Sequence, residues 1–185
     1  MKLSKLLLIS AMVSILTSLN AYASDNNGAL PKYMSSWEIL SVSDVRAKVY
    51  NPATGINKTH ETVILVIGYD SCPPCKAAWI FIPRQLAAAQ GIKYVTIRFP
   101  KDSWRKDISD FIIDMNKKAT LKDAEKTTVP AIYIIHQNGN VVGTRGYPTG
   151  GWDENDNNNR YKDPDSYYHY QWPFVQTYND LRYGR

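Results

Sequence analysis

Cysteine is almost absent: the 185 residues hold two, Cys72 and Cys75, three positions apart. A scaffold stapled by several disulfides is therefore excluded, and a chain of this length can bury a core without one. Histidine is nearly as scarce. His60, His136 and His169 stand in no ligand-like spacing with the cysteines, so a four-ligand zinc site lacks ligands, although a copper site at the cysteine pair stays open. Beyond the N-terminus no apolar run is long enough to span a bilayer. Charge of one sign is also missing, since 22 Lys and Arg are interspersed with 17 Asp and Glu. The formal +5 falls to +3 without Lys2 and Lys5, which argues against nucleic acid as a partner.

At the start there is a basic, apolar, small-residue pattern. Lys2 and Lys5 precede an apolar run over residues 6–16 that closes on Ala21-Tyr22-Ala23. This is the order of a cleaved secretory signal over residues 1–23. A membrane anchor needs about 20 apolar residues, and Ser10, Ser14, Thr17, Ser18 and Asn20 break this run. The expectation is an exported, periplasmic protein whose residues 24–185 form one domain, in a compartment where disulfides form.

Periodicity orders the rest. Residues 25–32 are polar and turn-rich. Ser35 and Glu38 form a capping-box pattern ahead of Leu40, Val45 and Val49, which predicts a helix. Asn51-Pro52 and Thr54-Gly55 mark a loop or hairpin. The run "TVILVIGY" (Thr62–Tyr69) is continuous, apolar and β-branched, the pattern of a strand buried on both faces. After the cysteines, "KAAWIFIPRQLAAAQ" favours a helix up to Gly91, kinked by Pro83. Residues 93–99 alternate as a strand with one buried face. Ser103 is a candidate cap for an amphipathic helix presenting Trp104, Ile108, Phe111, Ile112 and Met115. Two short strands around Asn138-Gly139 follow, and Pro173 opens a last helix carrying Phe174, Val175, Tyr178 and Leu181 on one stripe. Strand, helix, strand, helix, hairpin and helix together describe an α/β fold, a mixed central sheet flanked by helices.

The cysteine pair lies where the buried strand turns into a helix. A disulfide closing so small a loop stabilises by roughly 2 kcal/mol, against about 4.7 for a 100-residue loop, so stability alone explains it poorly. Redox chemistry explains more. At a helix start, unsatisfied N–H groups and the dipole favour a thiolate at Cys72, below the ordinary thiol pKa of about 8.5. Pro73 and Pro74 pre-set the first turn, and Cys75 one turn on is placed to resolve a mixed disulfide formed at Cys72. Asp70 opposes this, since a carboxylate near Cys72 raises its pKa; it is expected to point to water. Pro130, in "TTVPAIYII", heads another apolar strand, and taken alone it reads as an ordinary trans proline.

Over residues 62–147 the chain resembles the thioredoxin superfamily. The matching stretches are "CPPCK" after the buried strand, "VPAIYII" ahead of "NGNVVGTRGY", and Gly146 near the end of the hairpin. The resemblance implies a thioredoxin-like fold, with Cys72 and Cys75 as catalytic residues and Pro130 in a cis bond beside them. It also implies that the Val129 backbone binds an extended client segment. The departures are Ser71 where members often carry tryptophan, Val66 where many thioredoxins carry a buried acid, and a displaced helix proline, Pro83. Only one strand and one helix fit between Gly91 and Thr127, so the inserted helical domain of periplasmic disulfide oxidases is missing. The implied activity is reduction or isomerisation of disulfides in thiol-bearing client proteins, served by a membrane or periplasmic redox partner, with no cofactor and no metal.

Residues 148–166 form a polar loop. Asp153, Asn155 and Asn157 imitate a calcium loop, but Asn158 stands in place of its glycine and Pro164 in place of its closing glutamate. Tyr167, Tyr168, Tyr170, Trp172 and Phe174 form an aromatic cluster suited either to covering the sheet edge or to a partner surface. The second reading makes the chain a binding subunit or chaperone of an envelope assembly, with the cysteine pair secondary.

Overall fold

The computed structural model describes residues 31–147 and 172–185. The signal pattern of residues 1–23, the polar loop 148–166 with its calcium-like residues, and Tyr167, Tyr168 and Tyr170 of the aromatic cluster lie outside them. The chain divides into two units, Met1–Ser35 and Ser36–Arg185. Within the first, the described residues form a single 3-10 turn, Lys32–Met34, closed by the Met34 N–H on the Pro31 carbonyl.

The second unit is built on a five-stranded sheet. Its strands are β1 (Glu38–Ile39), β4 (Thr62–Tyr69), β5 (Ile92–Phe99), β6 (Ala131–Ile135) and β7 (Val141–Arg145), in the order β1-β5-β4-β6-β7. β1, β5 and β4 run parallel, whereas β6 and β7 are antiparallel to their neighbours. A separate hairpin pairs β2 (Tyr50–Asn51) with β3 (Ile56–Asn57). The helices are α1 (Val42–Asp44), continued by a π-helical turn Val45–Val49, then α2 (Pro73–Gln85), α3 (Lys106–Lys118) and α4 (Trp172–Tyr183). This mixed sheet flanked by helices is compatible with a thioredoxin-like fold. Among the described residues no helix is long and apolar enough to cross a membrane.

β4 sits at the centre because "TVILVIGY" has apolar side chains for both faces. Val63, Leu65 and Ile67 join Ile108, Phe111, Ile112 and Met115 of α3 in one core layer. Ile64, Val66 and Gly68 alternate to the other face, where Gly68 meets α2. β5 departs from its expectation of one buried face. Val95, Ile97 and Phe99 enter the α3 layer, but Thr96 opposite them is also fully buried. It accepts from the Trp79 indole N–H at 3.0 Å and donates to the Val66 carbonyl at 2.7 Å, so its hydroxyl is satisfied without water.

Three boundaries differ from the sequence expectation, each for a tertiary reason. The first helix starts at Val42, capped by Ser41 Oγ accepting from the Asp44 N–H, rather than by Ser35 and Glu38. Glu38 and Ile39 instead pair with Val95 and Thr96 as an edge strand. α2 stops at Gln85, short of Gly91, so the alanine-rich residues 87–89 lie outside it despite their helix propensity. α3 begins at Lys106, and Ser103 closes a 3-10 turn instead of capping it.

Candidate functional site

Cys72 is the residue before the first turn of α2, with Pro73 and Pro74 inside that turn. Their missing N–H groups belong to the helix start, where no intrahelical acceptor exists, so the two prolines cost nothing there. The Cys75 N–H donates to Cys72 Sγ at 3.2 Å, and the Cys72 N–H donates to the Tyr69 carbonyl at 3.1 Å. The two sulfurs are joined in a disulfide with Cα atoms 5.2 Å apart. Cys75 is wholly buried and Cys72 is 4% exposed.

Gly68 is what lets Cys75 sit there. A Cβ at position 68 would lie 2.8 Å from Cys75 Sγ, 2.9 Å from its Cβ and 3.4 Å from Trp79 Cζ2. Only a residue without a side chain allows α2 to press this close on β4. An isolated glycine inside a β-branched strand is the sequence signal of such a close approach.

The Val129–Pro130 peptide bond is cis. With Tyr69, Cys72, Pro73, Pro74, Thr128, Arg145 and Gly146, these two residues line a hollow of about 160 Å³. Cys72 borders the hollow and Cys75 does not. The Pro130 carbonyl accepts from the Gly146 N–H at 2.8 Å, which ties the turn before β6 to the end of β7. Cys72, Val129 and Pro130, singled out from sequence, therefore come together around one opening, with Cys75 behind it.

Two buried side chains hold the segment that leads into Val129 and Pro130. Asn116 of α3 donates from Nδ2 to the carbonyls of Ala124 and Lys126, both at 2.9 Å, and accepts from the Tyr133 hydroxyl at 2.7 Å. Arg145 of β7 donates from Nη1 to the Asp123 carbonyl at 3.1 Å and from Nη2 to the Lys122 carbonyl at 2.6 Å. Burial pushes the Tyr133 phenol pKa up, so it stays a neutral donor. Sequence reading missed both anchors. Asn116 had a signal, since it continues the Ile108, Ile112 stripe at i+4 spacing, where a polar residue must be buried with partners. Arg145 had none, because an arginine at a strand end ordinarily faces water.

Asp70 does not simply point to water. Arg98 grips its carboxylate in a two-pronged pair, Nη2 to Oδ2 at 2.6 Å and Nε to Oδ1. The physical reason is register: Gly68 pairs with Arg98 across β4 and β5, which places the guanidinium next to the strand end that carries Asp70. The negative charge expected to oppose a Cys72 thiolate is thus matched by a positive one. At Val66 no acid is available to Cys75, and the buried Thr96 hydroxyl on the neighbouring strand is already engaged by Trp79 and the Val66 carbonyl.

A larger, more polar hollow of about 330 Å³ lies at the β6–β7 turn, lined by Tyr50, Gly55, Lys118 and residues 138–141. It shares no residue with the disulfide site, so size does not locate the chemistry. Among the described residues no three His, Cys, Asp or Glu side chains cluster as a metal would require. No family model matches the chain, and no curated protein or solved structure matches it.

Proposed function

We propose that this chain is an exported thiol-disulfide oxidoreductase that reduces or isomerises disulfides in client proteins. The observation that carries the reading is the placing of Cys72. It stands at a helix start, bonded to Cys75, and lines the same hollow as cis-Pro130. The N-terminal pattern of residues 1–23 supports export, and Arg98 offsets the Asp70 charge that would oppose a Cys72 thiolate.

In the reductive direction the dithiol form begins the cycle. The Cys72 thiolate attacks one sulfur of a client disulfide, forming a mixed disulfide and expelling the other client sulfur as a thiolate. That thiolate takes the Cys75 proton, a role no acid at position 66 competes for. Cys75 then attacks Cys72 Sγ, restoring the Cys72–Cys75 bond and releasing the second client sulfur. Two electrons pass from the dithiol to the client. Val129 supports the same reading, because within the described residues no hydrogen bond engages its N–H or carbonyl, leaving both for an extended client segment.

The test is exchange with glutathione and a disulfide-containing peptide, using wild type, Cys72→Ser, Cys75→Ser and the double variant. Cys75→Ser is expected to accumulate a mixed disulfide at Cys72, and Cys72→Ser to lose exchange. Equal exchange by wild type and the double variant would sink the reading.

A further inference from the structure

Arg145 carries an arrangement that holding a loop does not explain. It is only 3% exposed, yet it borders the hollow beside Cys72. Two of its nitrogens donate to carbonyls, whereas its Nε–H is buried and finds no acceptor among the described residues. No carboxylate forms an ion pair with it among the described residues. Asp123 contributes its carbonyl to Arg145, and its carboxylate pairs with Lys126 at 3.0 Å. A guanidinium stays charged at any physiological pH, and a buried cation hydrogen-bonded only to neutral carbonyls, with the Asp123 carboxylate acting on it through space while paired to Lys126, is under-compensated. Burial accordingly pushes the Arg145 pKa down.

The group that completes such a site is a carboxylate, whose two oxygens match the guanidinium fork. The hollow limits what can carry it. Small-molecule pockets usually span about 300–1,000 Å³, and this one, at about 160 Å³, is sized for one or two side chains of a polypeptide.

We propose that Arg145 makes this hollow selective for client segments that carry an acidic side chain next to the reacting cysteine. The inference rests on the exchange chemistry proposed above. Arg145 is then a specificity residue: it binds the client's carboxylate while Cys72 performs the exchange.

The test uses two peptide disulfides that differ only in Glu or Gln beside the cysteine, with the rate of mixed-disulfide formation measured on reduced Cys75→Ser protein. Wild-type Arg145 is expected to favour the Glu peptide by roughly tenfold, the size of one charge-assisted hydrogen bond. Arg145→Met should erase the preference and Arg145→Lys should retain part of it. A purely loop-holding arginine would change both peptides alike. Should Arg145→Met fail to fold, Lys76→Gln decides the matter. That change removes the exposed cation next to Cys75 in the chain and leaves Arg145 and the Asp123–Lys126 pair in place, so the preference should survive, and its loss there overturns the proposal. Equal wild-type rates with the two peptides overturn this inference alone, whereas no exchange with either overturns the proposed function and this inference with it.

Discussion

The Trp37 indole N–H donates to the Trp79 carbonyl at 2.9 Å, in the position that Pro83 leaves open. In an uninterrupted helix the N–H of residue 83 would bond that carbonyl, and proline has none. Pro83 therefore creates an acceptor inside α2, and the segment entering β1 fills it. Trp37 also packs edge-on against Tyr94, with ring centroids 5.5 Å apart.

Trp37→Phe should destabilise the fold by roughly 1–3 kcal/mol, because a buried carbonyl loses its donor. In a Pro83→Ala background the restored helix N–H competes for the Trp79 carbonyl, so the same change should cost less. Urea unfolding of the four proteins measures the coupling, and an identical cost in both backgrounds would refute this account.

Gly68→Ala places a methyl 2.8 Å from Cys75 Sγ, with helix and sheet backbones on either side. Overpacking of this kind costs about 1–3 kcal/mol. The loss should appear as a lower urea midpoint, together with a changed Cys72–Cys75 equilibrium against glutathione. A midpoint matching that of wild type would mean that α2 can retreat from β4.

Asn116→Ala removes both side-chain donors from the segment before Pro130 and the acceptor of the Tyr133 hydroxyl. Roughly 2–4 kcal/mol of stability should be lost. Hydrogen exchange should show the segment 120–128 opening first. Uniform protection of that segment in the variant would argue against its being held from α3.

Burial holds the His136 imidazole below its ordinary pKa of about 6.5. The unfolded chain therefore takes up the proton before the folded one does. This contribution to stability is complete above about pH 6.5 and is lost as the pH falls through the lower folded-state value. The melting temperature should decline between pH 7.5 and 5, and His136→Gln should flatten that decline. An unchanged slope in the variant would place the proton uptake elsewhere.

How much was legible follows from how local each signal is. β4 was readable to the residue because a continuous β-branched run admits one interpretation, and the apolar stripe of α3 was readable because its period is internal to the helix. β1 was misread as helix because its two residues are held by pairing with β5, which no local propensity reports. The Asn138-Gly139 hairpin was placed correctly, but the His136 and Asn140 backbones close a three-residue loop around Gly139, at φ 85°. A Cβ on Gly139 would fall 2.1 Å from the Gly55 carbonyl, a contact with another hairpin that neither turn discloses by itself.

By itself the sequence determined the α/β layering, the central strand and the cysteine pair at the mouth of a helix, because residue period and turn chemistry act over a few positions. Tertiary structure alone decided that Gly68 admits Cys75, that Arg98 takes Asp70, and that Asn116 and Arg145 hold the approach to Pro130. Those relationships join residues between 7 and 28 positions apart, each partner unremarkable until packing and desolvation make the other its only economical neighbour.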